Sequence, residues 1–356
     1  MIRQRTVIEG ISMWSRWQPD RGVHFNGFHV RAPEAIVVDP LALEEDDLAA
    51  VEADGGAAWV VITNRDHERA SRAIAQRLGA KIAAPAADLP LAGGPVDREL
   101  RDGETIGPAR VIALEGMKSP GEIALHLPGL RTTLLGDALW GDPPGSLRML
   151  PDERLIDAKR AALSLRRIWA LQPDHLLVGD GTCIFGGATA AIGAYLTSRA
   201  DVYANRINVD ELEWESWNDD PGRYGGSSAE IGLRIGARRL GYHLVRLAPG
   251  QIWCPLHWHE FDEELFFVVD GDAVLRTPRG EHAVRRGDFV AFPTSPAGAH
   301  QLRNDGDREC TILMVADNAD GDDVCHYPDS RKVLISRDRL ILRQEPVLDY
   351  FDGEPG

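Results

Sequence analysis

GQIWCPLHWHEFDEELFFVVDG, Gly250 to Gly271, sets two histidines one residue apart ahead of an acidic pair and an apolar run. Side chains at i and i+2 of a strand share a face, so His257 and His259 can point into one interior together. Glu263 and Glu264 follow, then LFFVV and the turn residues Asp270 and Gly271. A second stretch, GDFVAFPTSPAGAHQLRN from Gly287 to Asn304, contributes His300. Three imidazoles and one carboxylate suit one divalent Fe, Mn, Ni, Cu or Zn ion, with coordination positions left open.

These two stretches resemble the paired motifs of the cupin superfamily. Gly250, His257, His259, Glu264 and Gly271 stand for the first motif, and Gly287, Pro293, His300 and Asn304 for the second. Six residues separate Gly250 from His257, one more than the family pattern, and the Pro293–His300 segment is two residues longer. Counting back from Gly271 selects Glu264 over Glu263. The resemblance implies a double-stranded β-helix, or jelly-roll, barrel with His257, His259, Glu264 and His300 as metal ligands. The segments DDVCHYPDSRKVLIS and LDYFDGEPG resemble the endings of single-domain cupins.

Working outward, residues from about 203 onward read as short strands broken by turns such as APGQ, VDGD and RRGD. Before that the pattern is α/β. EAIVVD (Glu34–Asp39) and AAWVVIT (Ala57–Thr63) read as buried strands, and Glu68–Ala80 as an amphipathic helix closing on Gly79. RVIALE, EIALHL, TTLLGD and HLLVGDG read as further strands, Asp157–Leu171 as a helix, and a last helix begins near Gly187. The expected domains are 1–202 and 203–356.

VVITNRDHERAS, Val60 to Ser71, lies between a strand and a helix. It resembles the HXHXDH junction of metallo-β-lactamase-fold hydrolases, which implies an αββα sandwich. Aligned so, Ile62 and Asn64 replace two histidines, and Asp66 and His67 remain. Met117 in EGMKSPGE replaces a third histidine, Asp137 keeps the bridging aspartate, and Asp180 replaces the last histidine. The ligands private to the first metal are therefore lost. Asp66, His67, Asp137 and Asp180 make a harder set that suits Mn, Mg or Fe(II) better than Zn. The favoured alternative is metal-free. Lys118 and protonated His67 balance three converging carboxylates, and Asn64 donates an amide hydrogen bond where histidine bound zinc.

The chain has 356 residues, enough for two cores, and a formal net charge of −16. That charge argues against nucleic acid or an anionic membrane as partner. No apolar run is long enough for a spanning helix, and the first residues carry no secretory h-region. Cys183, Cys254, Cys310 and Cys325 form no CxxC pair and read as reduced thiols of a cytoplasmic protein.

The functional expectation is a metal-binding cupin with oxygenase-type chemistry on a small organic molecule, beside a non-hydrolytic first domain. A non-catalytic binding or sensing protein is one alternative. A hydrolase using a rebuilt single-metal site in the first domain is the other. A homodimer is expected, since a lone barrel exposes sheet edges.

Overall fold

The computed structural model describes residues 4–218, 224–317 and 323–344, with Asp352. All of the LDYFDGEPG segment except Asp352, and the first residue of DDVCHYPDSRKVLIS, lie outside the described residues. The chain divides into two compact units, Met1–Asn205 and Arg206–Gly356.

Unit 1 contains two sheets. The first runs in the order Gln4–Arg5, Ile11–Gln18, Val23–Val30, Ile36–Val38, Trp59–Val61, Lys81–Pro85 and Arg98–Leu100. The second runs Ile184–Phe185, His175–Val178, Thr132–Leu135, Ile123–Leu127, Ala109–Ala113 and Thr105–Ile106. Phe28, Val38 and Val61 of the first sheet join Leu125, Leu134 and Leu177 of the second in one buried cluster. The outer face of the first sheet buries Val37, Val60 and Ile62 with Ile74 and Ala75 of the helix Ser71–Leu78. This is the metallo-β-lactamase αββα arrangement, with strand ends and following loops supplying polar side chains.

The helix expected over Glu68–Ala80 begins only at Ser71. Residues Arg65–His67 form a 3₁₀ turn, and Arg69 has φ 37°, a left-handed backbone that an α-helix cannot contain. Gly79 closes the helix with φ 64°, as its sequence position suggests. The Asp157–Leu171 stretch is two helices, Ala158–Ser164 and Arg166–Ala170, with Asp157 accepting from the Arg160 amide as N-cap.

Unit 2 is a cupin β-barrel. Its described sheets are Glu215–Asn218, Gly225–Glu230, Leu240–Leu247, Cys310–Asp317, Glu264–Asp270 and Phe289–Phe292; Trp258–His259, Val324–Tyr327, Lys332–Ile335 and Leu340–Arg343; and Gly280–Arg285, Asp272–Thr277 and Gln301–Arg303. Alternate residues of these strands, among them Val245, Phe266, Val268, Leu275 and Ile312, form its core. All four cysteines are free, and no helix among the described residues is long and apolar enough to cross a membrane.

Candidate functional site

His257 and His300 are brought face to face by backbone pairing. The His257 amide donates to His300 O (3.1 Å) and the His300 amide to His257 O (2.8 Å). The longer Pro293–His300 segment is taken up by a 3₁₀ turn over Pro296–Gly298, so it does not displace His300. Asn304 ties the segment before His257 to the barrel. Its amide donates to Gln251 O, its carbonyl accepts from Gly250 N, and its side chain donates to Leu247 O.

Glu264 Oε2 lies 3.1 Å from His300 Nε2, 3.3 Å from His259 Nε2 and 3.9 Å from His257 Nε2. Glu263, the runner-up, is exposed. Ligand atoms about 2.1 Å from one ion and at right angles to each other stand about 3 Å apart. The His300 and His259 separations are near this and that of His257 is longer, while His257, Glu264 and His300 have ligand atoms within 4.8 Å of one another. His259 Nε2, Glu264 Oε2 and His300 Nε2 are buried without any hydrogen-bond partner. Such a convergence of unsatisfied buried atoms is costly unless something binds there. The residues present therefore fit a divalent cation.

The other ring nitrogen of each histidine is already engaged. Nδ1 donates to Pro255 O from His257 (2.9 Å), to Gly298 O from His300 (3.0 Å) and to Asp323 Oδ2 from His259 (2.6 Å). This fixes the tautomer and aims every Nε2 lone pair inward. Burial, with His300 beside it, lowers His257 to about 4. Burial also acts to lower His259, but Asp323 and Glu264 outweigh it and raise that imidazole to about 10. Burial works to raise Glu264, and the neighbouring His259 and His300 overcome it and hold the carboxyl well below the usual range.

Phe292 stacks on the His300 ring at 3.7 Å between centroids, and Phe266 meets it edge-on at 5.2 Å. Cys325 offers a thiol within 4.8 Å of ligand atoms of His257 and His259. Burial pushes that thiol up to about 12, so it stays protonated at neutral pH. No sequence motif marks Asp323 or Cys325 as part of this site. They lie some 50 residues beyond the first motif, at no spacing that marks them.

Unit 1 brings together only part of the expected set. His67, Asp137 and Asp180 offer atoms within 4.8 Å of one another. Asp66 does not join them. It is the partner of Lys118 Nζ at 2.5 Å, with its side chain 44% exposed. Asn64 is fully buried, but its Oδ1 caps the 3₁₀ turn by accepting from the Asp66 amide, and its Nδ2 has no partner. The hydrogen bond expected from that amide is therefore not made. Met117 and Ile62 are absorbed into the two apolar clusters of the sandwich.

Two residues outside the expected set complete this site. Asp39 Oδ2 accepts from His67 Nδ1 at 2.7 Å, while Asp39 also accepts from the amide and hydroxyl of Thr63. Arg69 places Nη2 3.2 Å from Asp180 Oδ1 and 3.2 Å from His67 Nε2. Its guanidinium also donates to Asn26 O at 2.6 Å and lies over the Phe25 ring. Arg69 thus stands beside the atoms that a second metal would need, and Lys118 holds Asp66 and lies 3.7 Å from Asp137. These residues do not fit the metals of the hydrolases. Arg69 is in the quoted motif, two residues past His67, and only its left-handed backbone explains why it turns inward.

Burial and Arg69 act to lower the His67 pKa, but Asp39, Asp137 and Asp180 outweigh them and raise it well above 6.5. Burial acts to raise Asp137, and His67 with Lys118 overcomes it, leaving that carboxyl far below its usual value. Burial raises Asp180, against the pull of His67 and Arg69. Burial and the nearby Asp137 charge also push Glu122 well up. The His67 contribution to stability is fully present below pH 6.5 and is lost as pH rises through the raised value. The Asp137 contribution is present above the usual carboxylate range and is lost as pH falls toward its depressed value. Thermal melts from about pH 4 to pH 10 are expected to show an alkaline decline that His67→Ala removes. An identical alkaline limb in that variant would show that His67 is not the titrating group.

Family models match at two places, the metallo-beta-lactamase superfamily over residues 8–195 and the cupin domain over residues 243–316. No curated protein matches the chain. Among solved structures, a putative sugar phosphate isomerase from Acidithiobacillus ferrooxidans ATCC 23270 is 23% identical over 41% of this chain and 96% of that one, with a TM-score of 0.38. A cupin-superfamily sugar phosphate isomerase from Silicibacter pomeroyi DSS-3 is 28% identical over 41% of this chain and 98% of that one, with a TM-score of 0.37. A metallo-beta-lactamase from Pontibacter korlensis is 14% identical over 55% of this chain and 98% of that one, with a TM-score of 0.46. With its first match covering more than half of the 356 residues, the chain belongs to the metallo-beta-lactamase superfamily, and it carries a cupin domain after that region.

Proposed function

We propose that unit 2 is a metal-dependent cupin acting on a small organic molecule by oxygenase-type chemistry, and that unit 1 performs no hydrolysis. The observation that carries this reading is the convergence of three tautomer-fixed imidazoles on Glu264, with His259 Nε2, His300 Nε2 and Glu264 Oε2 left unsatisfied. His257, His259, Glu264 and His300 would hold the ion. When bound, a redox-active Fe, Mn, Ni or Cu ion supplies a Lewis-acidic centre with coordination positions left open. The chain supplies the rest. Asp323 holds His259 in orientation, and Pro255 O and Gly298 O hold the other two rings. Phe266 and Phe292 line His300 with apolar surface, which keeps water from competing. Unit 1 lacks the histidines a two-metal hydrolase needs to polarise water between two ions. The test is O₂ consumption by metal-loaded protein against a panel of small organic acids, alcohols and phenols. Turnover that disappears in His300→Ala is expected. Ligand-induced melting shifts in metal-free protein, without turnover, would favour a binding or sensing role instead.

We also propose a homodimer formed through a barrel edge. Among the described residues Leu340–Arg343 is an edge strand, and its Leu340, Ile341 and Leu342 are 48%, 60% and 47% exposed. Light scattering at micromolar concentration is expected to give twice the chain mass of 39.1 kDa. A mass near that of one chain contradicts the dimer.

A further inference from the structure

A cleft of about 270 Å³ opens over His67 in unit 1. Three cations offset most of the carboxylate charge at its floor, and Asp137 shares two of them, His67 at 3.6 Å and Lys118 at 3.7 Å. Lys118 pairs with Asp66, Arg69 with Asp180, and His67 with Asp39. The charged lining residues without any ion-pair partner among the described residues are two arginines. Arg21 and Arg154 line the cleft with exposed guanidinium groups that have no ion-pair partner among the described residues. Trp140 lines it too, is 7% exposed, and has a buried indole N–H without an acceptor. All three are hydrogen-bond donors, the two guanidinium groups open to solvent and the indole N–H buried. Two guanidinium forks match the oxygens of a carboxylate or phosphate. In a chain of net charge −16, two unpaired cations at one cleft stand against the general field. The ring of Phe25 and the side chains of Leu41 and Leu150 supply apolar wall for an organic body. The volume lies near the low end of ligand sites, roughly 300–1,000 Å³, and suits a small molecule.

We propose that this cleft binds a small carboxylate- or phosphate-bearing molecule without a metal, with Arg21 and Arg154 taking its anionic group. Arg69, Lys118 and His67 offset most of the carboxylate charge below it, and Arg21 and Arg154 add positive charge at the cleft itself. This inference is independent of the metal reading of unit 2.

The experiment is calorimetric titration of the full chain with inorganic phosphate and, separately, with malonate, in the presence of EDTA. Saturable binding of one equivalent of at least one anion is expected, weakening as salt rises. Arg154→Ala and Arg21→Ala are each expected to weaken it about tenfold, the scale of one charge-assisted hydrogen bond. Both residues are exposed, so neither change should alter the far-UV circular dichroism. Phosphate alone would mark the class as phosphate esters, and malonate alone as carboxylates. His300→Ala should bind the anion as the unmodified chain does. The proposal is overturned if neither anion binds at about 10 mM, if both arginine variants bind normally, or if EDTA or His300→Ala abolishes binding.

Discussion

Arg69→Met is expected to destabilise unit 1 by about 3–5 kcal/mol, the cost of leaving one partner of a buried ion pair uncompensated. The Arg69 side chain is 11% exposed and that of Asp180 2%, so water cannot replace the lost guanidinium. Asp137 and Asp180 would then face each other across His67 with one cation fewer. The earliest melting transition should fall by roughly 10 °C. Arg69→Lys should recover part of this, since the charge returns without the two-pronged donor geometry. Added Mn²⁺ should raise the melting temperature of Arg69→Met more than that of the unmodified chain, because the vacated position exposes His67, Asp137 and Asp180 to a cation. An Arg69→Met protein that melts as the unmodified chain does would show that Arg69 is not the balancing charge.

The second large effect concerns the shell behind the cupin site. His259→Ala removes a ligand and is expected to abolish metal binding. Asp323→Ala leaves all four ligands in place but frees His259 Nδ1, which now donates to Asp323 at 2.6 Å. Loss of such an orienting carboxylate typically costs about 10–100-fold in metal affinity. Glu263→Ala is expected to change nothing, since that side chain is exposed. Competition titrations against a chromogenic chelator measure all three. Equal affinity in Asp323→Ala and the unmodified chain would remove Asp323 from the account.

Much of this architecture can be read in the chain before any coordinates. The His257-x-His259 pair and the apolar run after Glu264 obey strand alternation, a local rule. Gly79 and Asp157 mark helix ends for equally local reasons. The residues that escaped reading act across the fold. Asp323 reaches His259 over 64 positions. Asp39 reaches His67 over 28, from the end of a neighbouring strand. No spacing rule covers either. Arg69 escaped differently. It is adjacent in sequence, but periodicity assigns it to the helix Glu68–Ala80, and a positive φ overrides that assignment. Asp66 was expected to join His67 and does not, because Lys118 draws it to the exposed side. Substitution patterns at a site reveal what chemistry is lost more readily than what replaces it.

The most direct measurement is the elemental content of purified full-length protein, taken alongside His300→Ala and Asp137→Asn. The account predicts one transition-metal ion per chain in the unmodified protein, none in His300→Ala, and one in Asp137→Asn. A metal that survives His300→Ala but disappears with Asp137→Asn would place the ion in unit 1 and contradict the central claim.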